Sequence, residues 1–181
     1  NATGLLVILA SLVAGLPLPL LPTQIIWLNA VTDPFMGLGL AREPQSPTVL
    51  KEPPRPPREP IVTNRDWRRI AALAMAMTIG TFGAYLVAVV TGATDGVRFG
   101  VTLTALALNE WLSAFAFRAP SRSLVETLRR NRWLAFGLIA VILLQAVVLY
   151  FPPVAELFHV APLTVVWVLV AVASAIPVVI V

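Results

Sequence analysis

Long apolar stretches alternate along this chain with short runs that hold most of its prolines and nearly all its charges. Each apolar stretch is about as long as a bilayer core of roughly 30 Å demands of an α-helix. The pattern predicts six helical spans, at about 2–16, 24–41, 67–91, 99–117, 133–151 and 162–181, packed as an all-α membrane bundle. The first offers about 15 residues, or roughly 22 Å of helix, so it reads as a truncated span. The chain opens at Asn1 without a methionine and closes in Val-Val-Ile-Val181 with no polar tail. The expectation is therefore a piece of a longer polypeptide. A cleaved signal peptide is a poor reading of the first span, which shows no basic leading region and no small-residue cleavage site.

Composition agrees with a polytopic membrane protein: 58% of residues are apolar and 12% charged, with a mean hydropathy of +0.85. The 13 basic residues are unevenly placed. Arg42, Lys51, Arg55, Arg58, Arg65, Arg68 and Arg69 flank the second connection, and Arg118, Arg122, Arg129, Arg130 and Arg132 flank the fourth. Arg98 alone falls on the other side. Counting basic residues in short loops places 42–66 and 118–132 in the cytoplasm. The high isoelectric point, about 10.7, is then a matter of topology, and nucleic acid is not an expected partner. The absence of cysteine excludes thiolate metal sites and disulfides, leaving oxygen and nitrogen donors.

The loop 42–66 is rich in proline, from Glu43-Pro-Gln-Ser-Pro through Arg55-Pro-Pro-Arg-Glu-Pro60. It reads as extended polyproline connector. Asn64 or Asp66 is a plausible N-cap for the next span, and Trp67 and Trp133 read as interfacial anchors. Gly80 and Gly83, near Thr78, Thr81 and Ala84, suggest a face where two helix backbones approach closely. Gly37 and Gly39 could serve the same purpose or let their helix unwind. His159 is the one histidine and reads as an interfacial residue, although Glu156 three residues earlier could join it in weak metal binding. No phosphate-binding glycine loop and no nucleophile constellation occur.

The candidate chemistry lies in two acidic residues within apolar spans. A charged side chain at the centre of a bilayer helix costs about 2.5–3.5 kcal/mol on insertion scales, so it calls for a partner and a purpose. Asp33 is preceded by Asn29 and Thr32, at i, i+3 and i+4 on one face of a regular helix. A carboxylate, a hydroxyl and an amide carbonyl are hard oxygen donors of the kind a calcium-like ion takes. Glu110 lies about eleven residues into the fourth span, beside Asn109 and Ser113. It could be a neutral acid bonded to another helix, or it could share a cation or proton site with Asp33.

These residues carry a resemblance. Leu16-Pro-Leu-Pro-Leu-Leu-Pro-Thr-Gln-Ile-Ile-Trp-Leu-Asn-Ala-Val-Thr-Asp33, then Gly39-Leu-Ala-Arg-Glu-Pro44 and Lys51-Glu-Pro-Pro-Arg55, resemble the region after the fifth transmembrane helix of calcium-type (P2) cation-transporting P-type ATPases. Trp67-Arg-Arg69 and Arg122-Ser-Leu124 follow in the family's order. The Gln-x-x-Trp-x-Asn-x-x-x-Asp core is highly specific, while the last two spans match mainly in hydropathy. The resemblance covers the whole chain and implies helices five to ten.

What the resemblance implies is a set of ion ligands: Asn29, Thr32 and Asp33 on helix six, Asn1 on helix five and Glu110 on helix eight. One position departs from the family. Where the two-site calcium pump has a helix-five glutamate, this chain has Gly4; single-site calcium and manganese pumps also lack that acid. The resemblance thus implies transport of Ca²⁺ or a similar divalent cation by alternating access, with protons neutralising Asp33 and Glu110 on the return. ATP and Mg²⁺ would act only through nucleotide and phosphorylation domains that these residues do not include. No catalytic ATPase residue is present, so the partners implied are the lipid bilayer, the cation, and the N-terminal helices and cytoplasmic domains of a parent pump. The expected location is a bacterial-type plasma membrane. A monovalent-cation or proton pump of the same superfamily, and a non-catalytic membrane scaffold, are the alternatives.

Overall fold

The computed structural model describes residues 2–42, 62–116 and 129–181. Nearly all of the loop of prolines and most of the 118–132 connection therefore lie outside the described residues, as does Asn1. Every regular element among the described residues is helical: α1 (Ala2–Val13), α2 (Pro22–Trp27), α3 (Asp33–Ala41), α4 (Asn64–Val90), α5 (Asp95–Ala116), α6 (Arg132–Tyr150), α7 (Pro152–Leu157), α8 (Val165–Ala173) and α9 (Ile176–Ile180). A π-turn, Leu28–Thr32, joins α2 to α3. By length and composition, α4 and α6 are long and apolar enough to cross a membrane, and Ala2–Val13 and Val165–Ile180 are shorter apolar helical stretches.

Helix ends depart from the hydropathy boundaries for local reasons. The first span stops at Val13 rather than near 16, because Gly15 takes φ 65° and Leu16 N–H donates back to the Ser11 carbonyl at 2.9 Å. That is a glycine-terminated helix end, with Pro17 beyond it to prevent continuation. Several helices start earlier than expected because their first turns are polar. α4 begins at Asn64, and its cap is neither Asn64 nor Asp66: Thr63 Oγ1 accepts from Asp66 N–H at 3.3 Å, while the Thr63 N–H donates to Asp66 Oδ2 at 2.8 Å. This reciprocal pair satisfies two otherwise orphaned donors.

Prolines break two of the apolar stretches internally. The stretch expected as one helix over 162–181 is α8 and α9, interrupted at Ser174–Ala175. Pro177 cannot donate a backbone hydrogen bond, and its ring conflicts with the carbonyl four residues earlier, at Ala173. Pro34 has the same effect on the carbonyl of Ala30, and the chain widens there into the π-turn.

α5 is the centre of the bundle: Val101, Leu103, Ala105, Leu106 and Ala107 are all essentially inaccessible. It packs along α4, α8 and α9, with narrower contacts to α3 and α6. α3 lies along α6, and α1 along α4. Gly39 and Gly137 allow the first of these pairings, since a Cβ on Gly39 would come within 2.7 Å of Leu134 Cα and one on Gly137 within 2.6 Å of the Phe35 carbonyl. Gly80 holds the Ser174 carbonyl against α4 in the same way, whereas Gly83 and Gly37 have open space around them. Small-residue contacts of this kind let helices associate where burial in lipid gives no driving force. Gly39 therefore packs against a neighbour, and the helix opens at Leu28–Thr32 instead.

The chain directions sort the charges. α3 ends where α6 begins, at the Gly39–Leu134 contact. α6 ends beside the start of α5, where Leu149 lies within reach of Gly100. α4 runs antiparallel to α5 across the short Thr91–Thr94 connection. Arg42, Arg65, Arg68, Arg69, Arg129, Arg130 and Arg132 thus share one end of the bundle, and among the described basic residues only Arg98 lies at the other. Arg98 is paired with Asp95 at 2.7 Å.

Candidate functional site

The helix that carries the acidic motif is fixed at both ends and irregular in the middle. At one end Gln24, fully buried, donates from Nε2 to the Phe158 carbonyl at 2.8 Å and accepts from Leu21 N–H at 2.9 Å. Trp27 packs edge-on against the Phe158 ring, with centroids 5.2 Å apart. At the other end Asn131 donates from Nδ2 to the Gly39 carbonyl at 2.8 Å while capping α6 through the Leu134 N–H. Between these anchors Asp33 N–H reaches back to the Leu28 carbonyl, which also accepts the Thr32 hydroxyl at 2.8 Å.

The widened turn rearranges the three expected donors. A π-turn advances about 80° per residue instead of about 100°, so the position three residues on falls well away from the first while the position four on stays near it. Asn29 and Asp33 are accordingly both exposed, whereas Thr32 is buried with its hydroxyl committed to the backbone. The expectation of one face for all three does not hold. The turn adds something the side-chain pattern did not predict: Pro34 has no N–H, so a carbonyl of Asn29 or Ala30 lacks its ladder donor beside the two exposed side chains.

Asn29 Nδ2 donates to the Ile25 carbonyl at 2.8 Å. Next to it is a cavity of about 180 Å³ lined by Gly4, Leu5, Ile25, Leu28, Asn29 and Leu106. Three helical segments meet there: α1, the π-turn region and α5. A Cβ on Gly4 would sit 3.6 Å from Leu106 Cδ2, an ordinary contact, so the position has room for a side chain.

Glu110 is on α5, and both of its carboxylate oxygens are buried without a hydrogen-bond partner among the described residues. It stands one turn beyond Leu106, which lines the cavity beside Asn29. Its expected polar neighbours are turned elsewhere. Ser113 donates to the Glu110 backbone carbonyl at 2.8 Å, and Asn109 donates to Thr81 Oγ1 at 3.0 Å and Ser174 Oγ at 3.4 Å. Asn109 thus ties α5 to α4 and to the α8–α9 break, and leaves the carboxylate alone. An unpaired buried carboxylate must take a proton or a cation, because the bare charge is too costly in an apolar interior.

The structure therefore places Glu110 one turn from the cavity that Asn29 lines and keeps Asn29 and Asp33 one turn apart, both exposed. Thr32 is set apart, and Asn1 lies outside the described residues. No group of three or more acidic, histidine or cysteine side chains clusters among the described residues. Glu156 and His159 are exposed; His159 takes φ 53° in the turn that closes α7. Gln24, Asn131 and Pro34 shape this segment without matching any ligand pattern in the sequence. Pro34 was the readable signal, as a proline inside an apolar span directly after the acid.

The family described as cation transporting ATPase, C-terminus, matches residues 17–181. The chain belongs to that family. The probable cation-transporting ATPase F of Mycobacterium bovis is 33% identical over 97% of this chain and 20% of its own length. The calcium-transporting ATPase of Bacillus subtilis is 29% identical over 98% of this chain and 20% of its length. Human calcium-transporting ATPase type 2C member 1 is 26% identical over 88% of this chain and 17% of its length. This ATPase C-terminal region thus spans about a fifth of the length of the curated relatives it matches. Its helical architecture, its apolar spans and its relatives together make it part of a membrane protein.

Proposed function

We propose that this region is helices five to ten of a P2-type pump and supplies part of the cage through which a divalent cation, Ca²⁺ or Mn²⁺, leaves the cytoplasm. The observation that supports the reading is a carboxylate inside an apolar helix, Glu110, both of whose oxygens are buried with no hydrogen-bond partner among the described residues, one turn beyond Leu106 in the lining of the cavity beside Asn29. Asn29 and Asp33 stand on the open side of an interrupted helix, together with a backbone carbonyl released by Pro34. That combination of carboxylate, amide and carbonyl oxygens suits a hard cation, and broken helices at membrane depth recur where backbone oxygens coordinate transported ions.

The six apolar stretches of the sequence are six spans in this reading, with the arginine-rich end in the cytoplasm of a bacterial-type plasma membrane. Asn29 and Asp33 form the retained site, with Asn1 as a further ligand and Glu110 alternating between the cation and a proton. Gly4 takes the place of the acid of two-site pumps, and the 180 Å³ cavity beside it marks the space that such an acid would fill. Thr32 contributes through its backbone or after the π-turn rewinds, since its hydroxyl is bonded to Leu28. ATP and Mg²⁺ act through the remainder of the parent pump. Phosphorylation there biases two states, and the cation follows the difference in affinity between them.

The test is cation-dependent ATPase activity of the full-length protein reconstituted in vesicles, titrated separately with Ca²⁺, Mn²⁺ and Na⁺, for wild type and Asp33→Asn. Stimulation by a divalent ion that vanishes in the variant is expected. Stimulation by Na⁺ alone would move the assignment to a monovalent pump, and no stimulation by any ion would leave the scaffold reading.

A further inference from the structure

At the arginine-rich end, α3 and α6 build a feature that the cation site does not use. The Arg42 guanidinium lies over the indole of Trp133, 4.3 Å from the ring centroid. An open cavity of about 360 Å³ is lined by Arg132, Trp133 and Phe136. Below it, Phe136, Ile139 and Leu143 are 61%, 58% and 61% exposed, spaced along one side of α6. Arg129 and Arg130 are exposed just above. None of these four arginines forms an ion pair among the described residues. Asp66, on α4, is the one described acid at this end of the bundle.

We propose that this pocket is a binding site for one anionic phospholipid. Its phosphate sits between Arg42 and Arg132, its glycerol region rests on Trp133, and an acyl chain follows Phe136, Ile139 and Leu143. Charge complementarity selects the occupant: several guanidinium groups with no ion pair among the described residues stand over an apolar lane at the end of a membrane-spanning helix, where basic pockets recognise anionic headgroups. The stacking matters because it holds one guanidinium, carried by α3, across the face of a residue on α6. Two helices thereby contribute to one phosphate site, which distinguishes it from a diffuse basic belt. The bond from Asn131 to Gly39 keeps the two helix ends together.

The test uses the full-length protein in nanodiscs containing phosphatidylglycerol and phosphatidylcholine, with retained lipid counted by native mass spectrometry after gentle delipidation. Wild type should retain phosphatidylglycerol in preference to phosphatidylcholine. Arg42→Gln with Arg132→Gln should lower that preference on the order of tenfold, the scale expected for removing two basic groups from an anionic lipid contact. Arg65→Gln with Arg68→Gln, on the exposed start of α4, should leave it unchanged. Equal loss in both pairs would reduce the pocket to a general basic belt and overturn the proposal. So would a failure to retain any lipid, the result expected if an acidic segment of the same polypeptide fills the pocket. Should the first pair fail to assemble, quenching of fluorescence by lipids brominated on their acyl chains gives an independent reading. The part of the signal lost in Trp133→Phe should be quenched at lower mole fractions of brominated phosphatidylglycerol than of phosphatidylcholine, and equal quenching would again refute the site. Neither readout depends on ATP hydrolysis, so both stand apart from the pumping assignment.

Discussion

Two helical regions of similar apolar character are built to opposite specifications. α4 runs for 27 residues without interruption, opened by the Thr63–Asp66 capping pair and closed by Gly92 at φ 69°. Its polar groups are satisfied or face outward, and its Gly80 side is fitted against the Ser174 carbonyl. The stretch from Pro22 to Ala41 is nearly as apolar, yet it is three short pieces with a π-turn in the middle. It exposes Asn29 and Asp33 and frees a backbone carbonyl. Membrane helices normally satisfy every backbone group internally, because lipid offers no substitute. An irregular segment persists at that depth only where protein or a polar cavity compensates. The comparison teaches that regularity here goes with close packing and interruption with exposed polar side chains inside an apolar stretch.

If this division is right, substitutions in the interrupted stretch should change ion dependence at little cost in stability, and those in α4 should do the reverse. The largest effect is expected for Asp33→Asn in the full-length protein: a loss of about 100-fold in cation-stimulated phosphorylation, the upper end of what one contact to a charged group is worth. Retained stimulation would take Asp33 out of the site. Glu110→Gln should weaken apparent cation affinity on the order of tenfold, about the value of one charge-assisted contact. An unchanged titration would assign this acid a packing role. On the scaffold side, Gly80→Val should lower thermal stability by about 1–3 kcal/mol, the usual cost of overpacking a close contact. Its cation titration should match wild type, and a shifted one would mean that α4 belongs to the site. Asn131→Ala should cost about 1–3 kcal/mol by leaving the Gly39 carbonyl without its donor, read from the same melting curves. Smallest of all, Gly83→Ala should be nearly silent, because no atom lies within 4 Å of a Cβ built there.

The class of protein was legible from hydropathy, and Asp33 and Glu110 stand out as candidates from the expense of charge in an apolar span. Helix ends were less legible, since a polar first turn such as Asn64–Arg69 belongs to the helix without looking apolar. The internal breaks were missed because hydropathy is blind to the backbone. Pro34 and Pro177 are as compatible with an apolar average as any neighbour, but each removes a donor and crowds the carbonyl four residues back. The one-face reading of Asn29, Thr32 and Asp33 assumed the regular pitch that Pro34 disrupts. Partners of Asn109 and Asn131 could not be read at all. Their hydrogen bonds join positions far apart in sequence, to Thr81 and Ser174 in one case and Gly39 in the other, and spacing along one helix carries no information about them.

The two amide tethers on the interrupted stretch have a mechanical consequence. Gln24 is tied to Phe158 and Gly39 to Asn131, so both ends of this stretch are fastened to the same continuous piece of chain, α6 with α7. It behaves as a beam clamped at both supports. It cannot slide past that frame without breaking a buried bond, and the compliance left to it is in the π-turn, where winding and unwinding by one residue rotates Thr32 against Asp33. Hydrogen exchange should therefore be faster at Leu28–Asp33 than in either flanking helix. Uniform protection from Pro22 to Ala41 would mean that the beam is rigid and that any motion occurs at its supports.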